Sequence, residues 1–124
     1  MVTTVFNIVR VLLGLFMMVI GTNKFFEFIP IPSPPGDGGD LMKIYMSSGF
    51  LRLIGVLEFI GGLGLVSDKF LPISLTLITA IMFNAFLFHV LHDLSGIGPA
   101  AICLILAVML VFANSSRFDN YFGM

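Results

Sequence analysis

The 124-residue chain is too apolar to be an ordinary soluble protein, because 58% of its residues are hydrophobic and only 10% are charged. Soluble domains carry about 25% charged residues. The net charge of −1 excludes the basic surface that nucleic-acid binding requires, and the single cysteine excludes an internal disulfide or a paired-thiol redox motif. With a mean hydropathy of +1.09, the composition predicts an all-α integral membrane protein forming a single membrane domain over residues 1–124.

The first membrane span is predicted over residues 4–28. A cleaved signal peptide is not expected, since Arg10 lies inside the apolar segment and no small-x-small cleavage site follows it. A loop rich in proline and glycine at residues 30–40 ends this span, because prolines cannot continue a helix.

Three further spans are predicted over residues 41–66, 71–91 and 95–114. Asp40 suits the N-cap of the second helix, and Pro72 suits the first turn of the third. Each run approaches the roughly 20 residues that a bilayer-crossing helix needs, and none shows the short alternation of barrel strands. The pattern predicts a four-transmembrane-helix bundle. Basic residues are evenly divided between the two ends of the bundle, so they do not decide its orientation in the membrane. The loop at residues 30–40 is acidic and suits the outer face, which predicts cytoplasmic termini.

Glu58 is the most informative single residue, because it lies within the apolar run of residues 50–66. An ionisable group at such a depth costs roughly 2.5–3.5 kcal/mol on insertion scales. It is therefore expected to face the interior of the bundle and to pair with a polar group. There the carboxyl group can anchor a ligand or relay a proton, or an ion pair can simply lock two helices together.

Small residues accompany the charges on two helical faces. Arg10, Gly14, Gly21 and Lys24 share one face of the first helix, and Glu58 shares a face of the second with three glycines. Glycines at such positions let helices approach closely. Depth counted from the terminal side at about 1.5 Å per residue puts Arg10 and Glu58 at a similar level. The sequence therefore predicts an Arg10–Glu58 ion pair.

The remaining polar residues of the spans have simpler interpretations. Lys24 and Arg52 can extend to a membrane interface. Asn84 can join two helices through its amide or line a cavity. His89 and His92 are three residues apart and no facing histidine exists, so no metal site is expected; interfacial histidines with Asp93 as a partner are favoured.

Three motifs in chain order resemble the DoxX-like family of small four-helix membrane proteins. They are Arg10-x3-Gly14-x6-Gly21-x2-Lys24, Gly55-x2-Glu58-x2-Gly61-Gly62 and Met82-x-Asn84-Ala85-x3-His89. The resemblance implies a multi-pass protein of a bacterial or archaeal inner membrane. It also implies ligand-binding roles for Arg10, Lys24, Glu58, Asn84 and His89, with no assigned catalytic residue. Some relatives are quinone-reducing subunits, so quinone is the candidate cofactor, although this chain lacks a cysteine pair.

Three functions follow in order of preference. The first is a subunit that binds a quinone or lipid, or an accessory subunit of a membrane redox or respiratory complex. The second is a quinone-linked oxidoreductase subunit, and the third is a small transporter or proton pathway formed by an oligomer. The expected partners are the lipid bilayer, other membrane subunits of a redox complex, or further copies of the chain.

Overall fold

The computed structural model describes residues 2–30 and 33–122, so residues 31 and 32 of the predicted loop lie outside the described residues. It contains α1 (Val2–Phe26), α2 (Asp37–Ser47), α3 (Phe50–Ser67), α4 (Leu71–His92), a 3-10 turn (Leu94–Gly96), α5 (Ile97–Ala113) and α6 (Ser115–Phe122). No strand occurs among these residues. Four helical segments, α1, α3, α4 and Leu94–Ala113, are long and apolar enough to cross a membrane. The prediction of an all-α membrane bundle is confirmed.

The predicted second helix differs most from the structure, which divides residues 41–66 between α2 and α3. Gly49 separates the two helices with a φ of 82°, a left-handed conformation that glycine adopts without steric cost. The start of α2 also differs, because Gly36 occupies the N-cap position and Asp40 lies inside the first turn with Asp37. Both carboxylates are favourable there beside the positive end of the helix dipole.

The bundle consists of two helix pairs, α1 with α3 and α4 with α5. Contacts of α3 with α4 and of α1 with α5 close the ring. The core between them is apolar, and it is formed by Leu13, Met17, Leu65, Leu71, Leu75, Ile78, Ile81, Met82, Cys103, Ala107 and Leu110. Large apolar side chains also cover the outside of every membrane-crossing helix, including Phe59, Leu91 and Phe112. This outer surface suits acyl chains.

Two glycine contacts fix how α1 lies against α3. A methyl group added to Gly21 would lie 2.5 Å from the Gly55 carbonyl oxygen, and one added to Gly62 would lie 2.5 Å from that of Gly14. Backbone therefore touches backbone at both points. The glycines of each helix are seven residues apart, so the two antiparallel helices meet twice in one register. That register places Val66 opposite Arg10 and Glu58 opposite Met18.

Replacing either glycine of a contact should separate α1 from α3. We expect Gly21→Ala and Gly62→Ala to lower the free energy of unfolding by about 2–3 kcal/mol, because the new methyl group meets a carbonyl that cannot rotate away. Thermal or SDS unfolding of the purified protein in detergent measures the effect. Gly98→Ala is the matched control, since its added methyl group meets nothing within 4 Å. Equal unfolding midpoints for the three variants would contradict the glycine register.

Candidate functional site

A buried ion pair joins α1 to α3. The Nζ atom of Lys24 lies 2.6 Å from Oε1 of Glu58. The Glu58 side chain is 2% exposed, whereas that of Lys24 is 21% exposed. Oε1 receives no well-aligned hydrogen bond from any described residue, so the ammonium group is its principal partner. The carboxylate predicted to face the bundle interior does so.

The direction of helical side chains explains this pairing. The register set by the glycines puts Lys24 opposite Arg52, which is six residues, or about 9 Å, from the level of Glu58. Each Cα–Cβ bond in a helix leans toward that helix's own N-terminus. Because α1 and α3 are antiparallel, the two side chains lean toward each other. The long lysine stem spans the remaining distance.

The Gly21–Gly55 contact also provides the space that the pair occupies. A methyl group added to Gly55 would lie 3.1 Å from the Cβ atom of Lys24, and one added to Gly21 would lie 3.2 Å from that of Glu58. A larger residue at either glycine would therefore push against a stem of the ion pair. The same two glycines bring the helices together and accommodate the charged side chains.

The predicted Arg10–Glu58 pair is wrong. The Arg10 guanidinium instead donates hydrogen bonds to the carbonyl oxygens of Leu65 and Val66, and its Nε atom lies 4.0 Å from a carboxylate oxygen of Asp68. The register places Arg10 eight residues, or about 12 Å, from the level of Glu58, and the two side chains lean in opposite directions. Arg10 thus satisfies unpaired carbonyls at the C-terminal end of α3.

Asp68 connects this end of α3 to α6. Arg117 donates a hydrogen bond of 2.6 Å to the Asp68 carboxylate and another of 3.3 Å to its carbonyl oxygen. Asp68 follows α3 in the left-handed conformation, with a φ of 62°. The cluster of Arg10, Asp68 and Arg117 therefore stabilises the end of the bundle that carries the termini, and it lies apart from the Lys24–Glu58 pair.

Asn23 is a further buried polar residue, beyond those predicted from the sequence. Its amide donates to the carbonyl oxygen of Ile29 at 3.0 Å and accepts from the Ile29 amide at 2.7 Å. These two bonds fold the chain back immediately after α1. Because Asn23 precedes Lys24, they also fix the turn of helix from which the lysine extends. The sequence does contain a signal for this role, namely an asparagine in the last turn of a helix that ends before prolines.

His89 lies at the turn between α4 and α5. Its Nδ1 atom is 3.1 Å from the carbonyl oxygen of Asp93 and 3.6 Å from a carboxylate oxygen of the same residue, which confirms the predicted partner. The rings of both histidines also lie near that of Phe88, with centroids 5.4 Å away for His89 and 5.6 Å away for His92. No described contact joins either histidine to Lys24 or Glu58. Within residues 2–30 and 33–122 no group of three potential metal ligands occurs.

Asn84 faces outward from α4. Its side chain is exposed, and among the described residues none hydrogen-bonds to it. The amide therefore joins no two of the described helices within one chain, and its predicted role between helices or in a cavity stays a prediction. The structure brings together only Lys24 and Glu58 of the five candidate ligand-binding residues.

An open apolar groove lies on the other side of the Gly21–Gly55 contact. It has a volume of about 200 Å³ and is lined by Gly21, Thr22, Phe25, Phe26, Gly55, Val56, Phe59 and Ile60. At 100° per residue, a charged residue and a phenylalanine flank each glycine on opposite sides. Both helices carry the same local pattern, Gly-x2-charge-Phe, at residues 21–25 and 55–59. This repetition was the sequence signal that pairs Lys24 with Glu58.

Comparison with known proteins shows similarity to one family over most of the chain. The model of the DoxX family matches residues 5–91, which include α1 from its second turn, all of α2 and α3, and nearly all of α4. No curated protein and no solved structure matches the chain significantly. The matched region contains both residues of the buried ion pair.

Removing one partner of the pair should cost more than removing both. We expect Lys24→Met to lower the free energy of unfolding by about 3 kcal/mol, because a buried carboxylate loses its counter-charge. Lys24→Met combined with Glu58→Gln should recover most of that loss. Unfolding in detergent for the two single variants and the double variant gives the coupling free energy.

Arg52→Met serves as the control for this cycle, since Arg52 is exposed on α3 at the same level as Lys24. It should change stability by less than about 0.5 kcal/mol. A loss in Arg52→Met as large as that in Lys24→Met, or additive losses in the double variant, would contradict the assignment of the ion pair.

Proposed function

The chain belongs to the DoxX family, and from this premise we propose that it binds a small amphipathic ligand as a subunit of a membrane redox complex. The Lys24–Glu58 pair would hold the polar end of the ligand, and quinones are the ligand class that the pair suits best. The observation that carries this proposal is the burial of an ion pair that the packing of α1 on α3 does not require.

The glycine contacts make the pair dispensable for packing. Gly14 with Gly62 and Gly21 with Gly55 already bring the backbones of α1 and α3 together. A buried ion pair adds little stability beyond this, since well-packed apolar residues of the same volume are often as stable or more so. Ionisable groups inside membrane domains are expensive and commonly mark ligand or proton sites. A binding role accounts for this cost.

The chemistry of the pair suits both oxidation states of a quinone. The ammonium group of Lys24 can donate to a quinone carbonyl oxygen, and the carboxylate of Glu58 can accept from a quinol hydroxyl group. Each oxygen of a carboxylate has two lone pairs, so Glu58 can accept a further hydrogen bond beside its contact with the Lys24 ammonium group. If the chain is instead a quinone-linked oxidoreductase subunit, Glu58 would also take up a proton from the quinol as the quinol is oxidised.

Access to the pair would be from the end of the bundle that carries α2. Lys24 lies in the last turn of α1, and its side chain is partly exposed whereas that of Glu58 is buried. A ligand head would therefore meet the ammonium group first. In a bacterial or archaeal inner membrane with cytoplasmic termini, as we propose for this chain, this end faces outward.

In such a complex the electron carrier would belong to a partner subunit. One cysteine in the chain cannot form a dithiol, and Cys103 is buried in α5. The membrane bundle would thus supply the ligand site and the anchoring surface, and the partner would supply the redox centre.

Native mass spectrometry with quinone and lipid extraction tests the proposal on protein solubilised gently from its own membrane. We expect a stoichiometric small molecule on the unmodified chain and at least about tenfold less of it on Glu58→Gln, since the neutral amide keeps the shape but loses the charge that orients Lys24. Glu27→Gln is the matched control, because Glu27 is an exposed carboxylate just beyond α1.

Equal occupancy in Glu58→Gln and the unmodified chain would overturn the ligand site. A chain that carries no small molecule but is attached to other subunits would support the accessory role and contradict the ligand site. A bare and solitary chain would overturn both parts of the proposal.

A further inference from the structure

The outward face of α4 carries a stripe with the spacing of a helix–helix seam. Its six residues alternate at intervals of four and three, and they are Ile73, Leu77, Ala80, Asn84, Leu87 and Leu91. Five of them are exposed, and Leu77 is half-buried at the border with α3. At 100° per residue they fall within about 80° of one another. This alternation is the heptad pattern of two-stranded coiled coils, and none of the described elements covers its five exposed residues.

Asn84 lies near the middle of this stripe and of the membrane-crossing segment. It is thirteen residues from the start of α4 and eight from its end, or about 20 Å and 12 Å. Its amide therefore lies at hydrocarbon depth, exposed and without a hydrogen-bond partner among the described residues. A polar group left unsatisfied in hydrocarbon costs several kcal/mol. The described residues do not satisfy it, so we look for its partner on another molecule.

The amide chemistry identifies the interacting partner. A carboxamide offers donors and an acceptor in one plane, so two identical carboxamides satisfy each other through a pair of hydrogen bonds. A single asparagine in an apolar heptad seam has the same use in coiled coils, where it fixes the register and the number of strands. The group best matched to Asn84 on an otherwise apolar stripe is Asn84 of a second copy.

We infer that the chain forms a two-fold symmetric homodimer through α4, with the two Asn84 side chains hydrogen-bonded beside the axis. All copies insert into the membrane in one orientation, so the axis lies along the membrane normal and the two α4 helices are parallel. Ala80, one turn before Asn84, allows the backbones to approach closely. The dimer is independent of the proposed ligand site, because Lys24 and Glu58 lie on α1 and α3 of each protomer.

Cysteine cross-linking in native membranes tests the geometry. In a Cys103→Ala background, Ala80→Cys should form a disulfide-linked dimer upon mild oxidation, because the seam brings the two positions near the axis. Ile105→Cys is the matched control, since Ile105 is 57% exposed near the middle of α5 but outside the stripe. Cross-linking of both variants to the same extent, or of neither, would overturn the α4 interface.

Substitution of Asn84 tests the amide pair. Energy transfer between labelled copies, diluted stepwise in vesicles, measures the dissociation constant of the dimer. We expect this constant to be about tenfold higher for Asn84→Leu than for the unmodified chain, because the hydrogen bonds between the two amides are lost. Leucine suits a lipid-facing position, so the fold should be retained. Asn84→Gln, which keeps the carboxamide, should restore most of the association.

Unchanged association in Asn84→Leu, or a monomer at every dilution, would overturn the inference. A purified complex in which a different protein covers α4 of a single copy would overturn it as well. Loss of association in Asn84→Leu with unchanged ligand content would support the dimer and leave the Lys24–Glu58 proposal to its own test.

Discussion

Close contact between the backbones of α1 and α3 determines the rest of this small bundle. Two glycines on each helix, seven residues apart, remove the side chains that would keep the helices separate. Lipid chains are as apolar as the helices they surround, so association inside a membrane depends on such packing rather than on the hydrophobic effect. The contact sets a register that cannot slide, because a shift by one residue would place side chains against carbonyl groups.

The charged residues follow from that register. Lys24 and Arg10 are on the same face of α1, yet only Lys24 reaches Glu58, because its side chain leans toward the carboxylate and that of Arg10 leans away. Arg10 lies instead beside the last carbonyls of α3, where a cation is favourable at the negative end of the helix dipole. Two basic residues on one helical face thus acquire different roles from their direction alone.

The sequence was sufficient for the class of fold and for the burial of Glu58. Long apolar runs predict membrane-crossing helices because the bilayer fixes their length, and a carboxylate inside one of them must find a partner. Identifying Lys24 as the partner of Glu58 required the register of α1 against α3. Depth counted from the predicted helix ends favoured Arg10 instead. The repeated Gly-x2-charge-Phe pattern at residues 21–25 and 55–59 held the missing information. The break at Gly49 was not predicted, since glycines occur throughout these helices and only tertiary packing distinguishes a contact from an interruption.

Glu58 and Asn84 are polar groups at hydrocarbon depth that differ in how the cost of their burial in the membrane is met. Glu58 is surrounded by its own chain and has the Lys24 ammonium group beside it, so its charge is compensated before any ligand arrives. Asn84 is exposed on α4, and the chain provides it with no described partner. The cost of a polar group in hydrocarbon is therefore met inside the bundle at Glu58, whereas at Asn84 it requires a partner on the outer surface. A charge satisfied inside the bundle is typical of a site that holds or protonates a small molecule, whereas an amide left to the lipid is typical of a surface that another helix covers.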